Sequence, residues 1–404
     1  MTRKGTILLI LALMGGWTAM GIHAQESGTE HPLIVTGRSQ SSGDRLFFRY
    51  ADGAWEPLLA EGVADGSAAP GGEQVAILKV PPFLETIEGG RDWLSGSAWD
   101  IALVEVGDDT QRDIALQSTA IAANENGSGY SGGITRSVPV WSPHGRAFAW
   151  TEQDYPAQSS ARLLVYDLDS DETRVLDDAL PFMNLSSDGL PVEVTWRSGG
   201  IVVFTNDSAD FADTLRHYDA QTGLQQIVRL PQTETDGYWY PLLGPLWLVD
   251  SANAPIGAAV IAPTLGDGTM YTVDWASADV RLGFSRRYEM VSASHPDESL
   301  RLIWSFYNRA LDPSEPLLQL VMPDGAVALT WEDFLGTDDP QSLRRIVFSP
   351  SGHAAAYLQD GELSIREEGG RRVVPLPPDF TATNLQWGDS MWRLGEPYNL
   401  DAVG

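Results

Sequence analysis

The sequence predicts an all-β protein, a β-propeller of four-stranded antiparallel blades, and three observations predict it. A Pro/Gly hairpin recurs, as Trp141-Ser142-Pro143-His144-Gly145-Arg146-Ala147-Phe148-Ala149-Trp150 and as Phe348-Ser349-Pro350-Ser351-Gly352-His353-Ala354-Ala355-Ala356-Tyr357. A second hairpin with an acidic or glycine turn alternates with it. No stretch keeps a helical period beyond two turns. A strand-only unit returning every ~40–60 residues points to a propeller or a related β-repeat.

The chain opens Met1-Thr2-Arg3-Lys4-Gly5, continues apolar from Thr6 to Met14, and places small residues at Gly21 and Ala24. Such a basic, then apolar, then small-residue order is a secretory signal peptide. Residues 1–24 are therefore expected to be a cleaved signal and 25–31 a short N-terminal segment. Left uncleaved, the apolar stretch would act as an N-terminal membrane anchor. The expected location is extracytoplasmic, periplasmic or secreted. The propeller is expected over 32–396, with 397–404 as a tail.

Within 32–396 the two hairpin types alternate. The Pro/Gly type falls near Pro70, Pro143, Arg197, Asp250, Pro296, Pro350 and Gly388. The acidic type falls near Asp52, Asp108, Asp169, Gln221, Ser277, Asp324 and Glu368. Asp-Gly, Gly-Gly and Thr-Gly between apolar runs are strong hairpin signals. One pair makes one blade, giving about seven; the weak copies at Arg197 and Asp250, and an extra strand at Leu33-Ile34-Val35-Thr36, leave six or eight open. The chain starts on an acidic hairpin and ends on Leu385-Gln386-Trp387-Gly388-Asp389-Ser390-Met391-Trp392. The two ends are thus expected to share one blade, which leaves no open sheet edge there.

The Trp-Ser-Pro-x-Gly strand pair followed by a Tyr-Asp hairpin resembles the TolB-like and WD40-like propeller repeats of exported bacterial proteins. His144, Ser351 and Gly71 stand where that repeat usually has Asp. The resemblance implies a propeller without the α/β domain that precedes it in TolB. Prolyl-oligopeptidase-like enzymes carry similar repeats, but no stretch here has the length of their hydrolase domain.

Composition narrows the chemistry. There is no Cys, so disulfides and thiolate metal sites are ruled out. The 55 Asp and Glu outnumber 26 Lys and Arg. Such a chain repels nucleic acid and anionic lipid and suits cationic partners. No membrane insertion is expected after signal cleavage, and a monomer is expected.

Several motifs invite a chemical reading. Gly129-Tyr130-Ser131-Gly132-Gly133 matches a nucleophile elbow, which needs a strand leading in and a helix leading out. Pro139 soon after opposes a helix, so a glycine loop is expected. Gly388-Asp389-Ser390 occupies a hairpin turn. Asp167, Asp169, Asp171 and Asp178 echo a calcium loop, though Glu172 stands where the loop needs Gly. No cofactor is expected, calcium being the one the spacing allows; a solvated acidic hairpin explains the same residues. His144, His295 and His353 lie in or beside Pro/Gly turns and are read as solvated turn residues.

The opposite ends of the strands carry longer connections, rich in aromatic and acidic residues. Trp93, Tyr155, Tyr238, Trp239, Tyr240, Tyr307 and Arg309 are the ligand-binding candidates, beside acids such as Glu152 and Asp154. Aromatic and acidic groups on one rim suit a glycan, a cationic peptide or a partner protein. The expected function is a non-catalytic binding or scaffold module. The alternative is a glycan hydrolase or lyase with two carboxylates in a central funnel.

Overall fold

The structure is a computed structural model. It describes residues 32–42, 45–58, 63–81, 99–105, 110–117, 122–123, 130–131, 133–154, 160–181, 194–197, 200–207, 212–229, 239–240, 246–249, 255–263, 267–275, 277–287, 290–294, 301–304, 318–321, 327–330, 343–350, 354–359, 361–367, 370–388 and 390–391. For some strands, including those within 239–274 and 281–345, the backbone alone is described.

Among the described residues every regular element is a strand. The chain opens with β1 (Leu33–Ser39), β2 (Arg45–Ala51) and β3 (Ala54–Pro57). Sheet 1 is β4 (Val63–Ala68), β5 (Gln74–Lys79), β6 (Asp100–Glu105) and β7 (Gln111–Ala115). A short ribbon, β8 (Ala122–Ala123) with β9 (Tyr130–Ser131), precedes sheet 2. Sheet 2 holds β10 (Ile134–Arg136), β11 (Val140–Trp141), β12 (Ala147–Asp154), β13 (Ala161–Asp167) and β14 (Glu172–Leu180). Sheet 3 is β15 (Val194–Arg197), β16 (Gly200–Asp207), β17 (Ala212–Asp219) and β18 (Gly223–Arg229). Sheet 4 is β19 (Trp239–Tyr240), β20 (Leu246–Val249), β21 (Pro255–Pro263), β22 (Asp267–Asp274) and β23 (Asp279–Arg287). Sheet 5 is β24 (Met290–Ser294), β25 (Arg301–Trp304), β26 (Leu318–Val321) and β27 (Val327–Thr330). Sheet 6 is β28 (Leu343–Phe348), β29 (Ala355–Gln359), β30 (Glu362–Glu367) and β31 (Gly370–Val374). Finally β32 (Phe380–Trp387) and β33 (Ser390–Met391) join the opening strands as sheet 7, in the order β3-β2-β1-β32-β33.

Sheets 1 to 6 are antiparallel meanders in chain order, with β10 and β11 both pairing to β12, and β19 and β20 both pairing to β21. The Pro/Gly hairpins join first strands to second, and the acidic hairpins join third to fourth. The weak copies follow the rule: Arg197 pairs with Gly200, and Val249 with Pro255.

The Pro/Gly turns share one backbone. Ser142 N–H donates to Ala147 O, and Ser349 N–H to Ala354 O, both at 2.8 Å; Ala69 N–H donates to Gln74 O at the same distance. The Ser142 and Ser349 hydroxyls accept from Ala147 N–H and Ala354 N–H, closing the turn from inside. Gly72 and Gly145 each adopt φ 66°, the left-handed region that glycine enters without steric cost.

The acidic turns share another. Asp167 Oδ1 accepts from Asp169 N–H and Ser170 N–H; Asp219 Oδ1 accepts from Gln221 N–H and Thr222 N–H. These amides hold both carboxyls below the ordinary aspartate range. Asp171, at φ 58°, stands where the other copy has Gly223 at φ 87°.

Sheet 7 departs from the expected sharing of two hairpins. Three N-terminal strands join β32, and β1 is the one paired to it, Leu33 opposite Trp387 and Ser39 opposite Phe380. Leu33, Ile34 and Val35 are 2%, 2% and 0% exposed, so this run is buried on both faces and takes an interior position. At Gly37 an added Cβ would lie 2.1 Å from Thr381 O, so the register shift there requires glycine.

Apolar cores lie between sheets. One joins Leu33 and Val35 to Phe348, Tyr357, Leu385 and Trp387. Another sets Phe148 and Trp150 of sheet 2 against Ile101 and Leu103 of sheet 1. Polar ties accompany them: the Tyr218 hydroxyl donates to Asp177 of the preceding sheet at 2.6 Å, and burial first, then that carboxylate, pushes the phenol's pKa up.

Candidate functional site

The end of sheet 2 opposite its Pro/Gly turn holds a buried charge cluster. β12 is buried from Ala147 through Gln153. On one face Phe148, Trp150 and Glu152 follow at intervals of two, so the carboxylate continues an aromatic row. The ladder places Glu152 opposite Arg136 on β10 and opposite Arg162 on β13. Arg136 Nε donates to Glu152 Oε2 at 3.0 Å, with the two side chains 3% and 7% exposed. Arg162 Nη2 reaches Glu152 Oε1 at 2.8 Å from a half-buried position.

The same arginine crosses to sheet 1. Its Nη1 donates to Trp99 O at 2.6 Å and its Nη2 to Leu116 O at 3.1 Å. Gln117 completes the bridge. Its Nε2 donates to Trp99 O and Ile134 O, and its Oε1 accepts from Ile134 N–H at 2.7 Å. Its own N–H donates to Asp100 Oδ1 at 2.6 Å. Burial raises the pKa of Asp100, partly offset by the Gln117 amide and then by Arg136. The guanidinium of Arg136 thus saturates backbone carbonyls at the ends of two strands where long connections leave the sheet.

Chemically this is a fixed, internally neutralised network. Glu152 accepts from two cations, and Asp100 accepts from a backbone amide. Both residues are about 5% exposed or less, which closes them to a substrate.

Of the predicted ligand residues, Trp93, Tyr155, Tyr238, Tyr307 and Arg309 lie outside the described residues. Trp239 and Tyr240 form β19, opposite Pro263 and Ala262, with the backbone alone described. His295 and His353 also lie outside, while His144 is exposed in its turn. The elbow motif places Tyr130 and Ser131 in β9, and β10 follows rather than a helix. In the acidic hairpin, Asp169 pairs with Arg146 at 2.9 Å, while Asp171 accepts from Arg112 and from the Tyr166 hydroxyl. Among the described residues no three His, Asp or Glu side chains converge as a metal ligand set.

Sequence reading passed over Arg136, Gln117 and Asp100. The available signal was Glu152 itself, a carboxylate two residues past Trp150 inside a buried strand. A groove of about 400 Å3 lies elsewhere, at the turn end between sheets 1 and 2, lined by Gln74, Leu103, Glu105, Arg112 and Leu168 among others.

No family model matches the chain, and no curated protein matches it by sequence. Solved structures similar to it include an oligogalacturonate lyase from Vibrio parahaemolyticus, 12% identical, covering 86% of this chain and 92% of that one, with TM-score 0.48. TolB from Acinetobacter baumannii is 12% identical over 78% of this chain and 66% of its own, with TM-score 0.37. An acylaminoacyl peptidase from Pyrococcus horikoshii is 12% identical over 78% of this chain, with TM-score 0.47. This chain spans 46% of that peptidase's length. Among the described residues no helix is long and apolar enough to cross a membrane.

Proposed function

We propose that this chain is an exported, seven-bladed β-propeller that binds a neutral glycan or a cationic peptide on its loop-bearing end, without catalysis. Meanders in chain order, with the Pro/Gly hairpin between first and second strands and the acidic hairpin between third and fourth, support the propeller. The pairing of β1 with β32 supports closure through sheet 7. The basic and apolar N-terminus supports export.

The observation that carries the binding reading is the Arg136–Glu152–Gln117 network. It anchors the strand ends from which the aromatic-rich connections leave, and rigid supports under variable loops are how scaffolds present binding residues. The chain's charge of −29 favours a neutral or cationic ligand over a polyanion. Trp239 and Tyr240 are the anchors assigned to it.

The test is a thermal-shift titration of residues 25–404 with calcium, with neutral oligosaccharides and with an oligolysine peptide. A saturable rise with the glycan or the peptide, lost in Trp239→Ala, supports the reading. A rise with none of them moves the function to a protein partner. New reducing ends appearing in the glycan would establish the hydrolase or lyase instead.

A further inference from the structure

The outermost strand of sheet 6 carries arginines that no described acid holds. β31 reads Gly370-Arg371-Arg372-Val373-Val374, and the ladder places Arg371 directly opposite Arg366 on β30. Like charges facing across a ladder oppose its pairing. In a chain with 55 acids and 26 bases, acidic partners are plentiful. Yet among the described residues none of Arg366, Arg371 and Arg372 makes an ion pair.

Two of them are ordered by other means. Arg371 Nε donates to Ser364 Oγ at 3.1 Å, and its guanidinium lies 5.9 Å from the Tyr357 ring centroid. Arg372 Nη1 donates to the Tyr50 hydroxyl at 2.6 Å, with its guanidinium 5.7 Å from that ring. Both arginines are exposed, and Val373, which follows them, is 48% exposed. Arginines on other outermost strands are engaged differently. Arg112 on β7 pairs with Asp171, and Arg174 on β14 donates to Ala220 O. Among the described strands β31 pairs only with β30, and no described strand covers its outer backbone edge.

We propose that β31 is a docking edge for an extended acidic segment of a partner polypeptide. Added alongside β31, such a segment would gain main-chain hydrogen bonds, and its alternate side chains would meet Arg371 on one face and Arg372 on the other. Guanidinium groups recognise carboxylates through two parallel N–H donors, and rings that hold them in place lower the ordering cost. The cross-strand repulsion between Arg366 and Arg371 is relieved when a carboxylate sits between them. This edge belongs to sheet 6 and does not depend on ligand binding at the loop-bearing end.

The test uses a fluorescein-labelled decapeptide of alternating Glu and Val, with the Lys–Val decapeptide and heparin as comparisons. Fluorescence anisotropy against the full chain should show saturable binding of the Glu–Val peptide. Arg371→Gln/Arg372→Gln should weaken it about tenfold or more, since two charge-assisted contacts are removed. Arg146→Gln, on an exposed turn, should leave it unchanged. Circular dichroism of each variant confirms the fold. Equal binding by wild type and the double variant overturns the proposal, as does absence of saturable binding. Binding of heparin alone overturns the polypeptide assignment. Aggregation of the double variant with unaltered peptide binding would assign the arginines to guarding the edge.

Discussion

The side chain of Gln386 on β32 caps both backbone groups of Ala68 on β4: its Oε1 accepts the Ala68 N–H at 3.0 Å, and its Nε2 donates to the Ala68 carbonyl. The two residues are 318 positions apart, and Ala68 is fully buried. The amide thus does for the junction of sheets 7 and 1 what a ladder does within a sheet. Gln386→Leu leaves a buried donor and acceptor without partners, each worth about 1–3 kcal/mol. Urea unfolding should show a loss of about 2–6 kcal/mol; an unchanged midpoint would show that water takes over the bonds.

Gly388 and Pro350 meet in a similar way across sheets 6 and 7. A Cβ on Gly388 would lie 2.6 Å from Pro350 Cγ, at a backbone φ of 60°. On Gly72 it would lie 2.3 Å from Pro32 Cγ, whereas on Gly145 the nearest atom, Pro70 Cδ, is 3.5 Å away. Gly145→Ala should therefore cost only the left-handed strain, about 1–2 kcal/mol, and Gly388→Ala more. Pro350→Ala removes Cγ, so the double variant should be less destabilised than the sum of its parts. Strict additivity in that cycle would sink the contact argument.

Arg136 and Glu152 form a buried pair whose removal depends on how it is done. Arg136→Met strands part of the Glu152 charge and should cost about 3–5 kcal/mol. Arg136→Met with Glu152→Leu removes both charges and should be more stable than Arg136→Met alone. Leu116 O still loses its donor and Trp99 O keeps only that of Gln117, so the double variant stays below wild type. Chemical denaturation of the three proteins checks the order.

Two aspartates predict opposite pH trends. Asp219 is depressed in the folded state, so its contribution is present above the unfolded value of ~3.9 and is lost as pH falls through the folded value. Asp100 is raised, so its contribution is full below ~3.9 and is lost as pH rises through the folded value. Asp100→Asn keeps an acceptor for Gln117 N–H and removes that loss. Its stability relative to wild type should grow from strongly acid pH towards neutrality. A constant difference across that range would show that Asp100 is not raised.

The repeats were legible because their determinants are local. Pro143 and Gly145, or Asp219 with the amides of Gln221 and Thr222, act within five residues of one another. Even the weak copy at Arg197 could be placed from neighbouring copies. The charge cluster was not legible, because Glu152 reads as one acid among many until register sets it between Arg136 and Arg162. Nor does a run such as Leu33-Ile34-Val35 state which strand it pairs with.

The sequence by itself determined an all-strand chain with two alternating hairpin types, since proline, glycine and side-chain-to-amide bonds restrict dihedrals over a few residues. Only the tertiary structure decided that three N-terminal strands join β32, that Gln386 serves Ala68, and that Arg366 faces Arg371. Those choices depend on which backbone groups and apolar faces remain unsatisfied once every hairpin has formed. That quantity belongs to the assembled sheets and to no single segment.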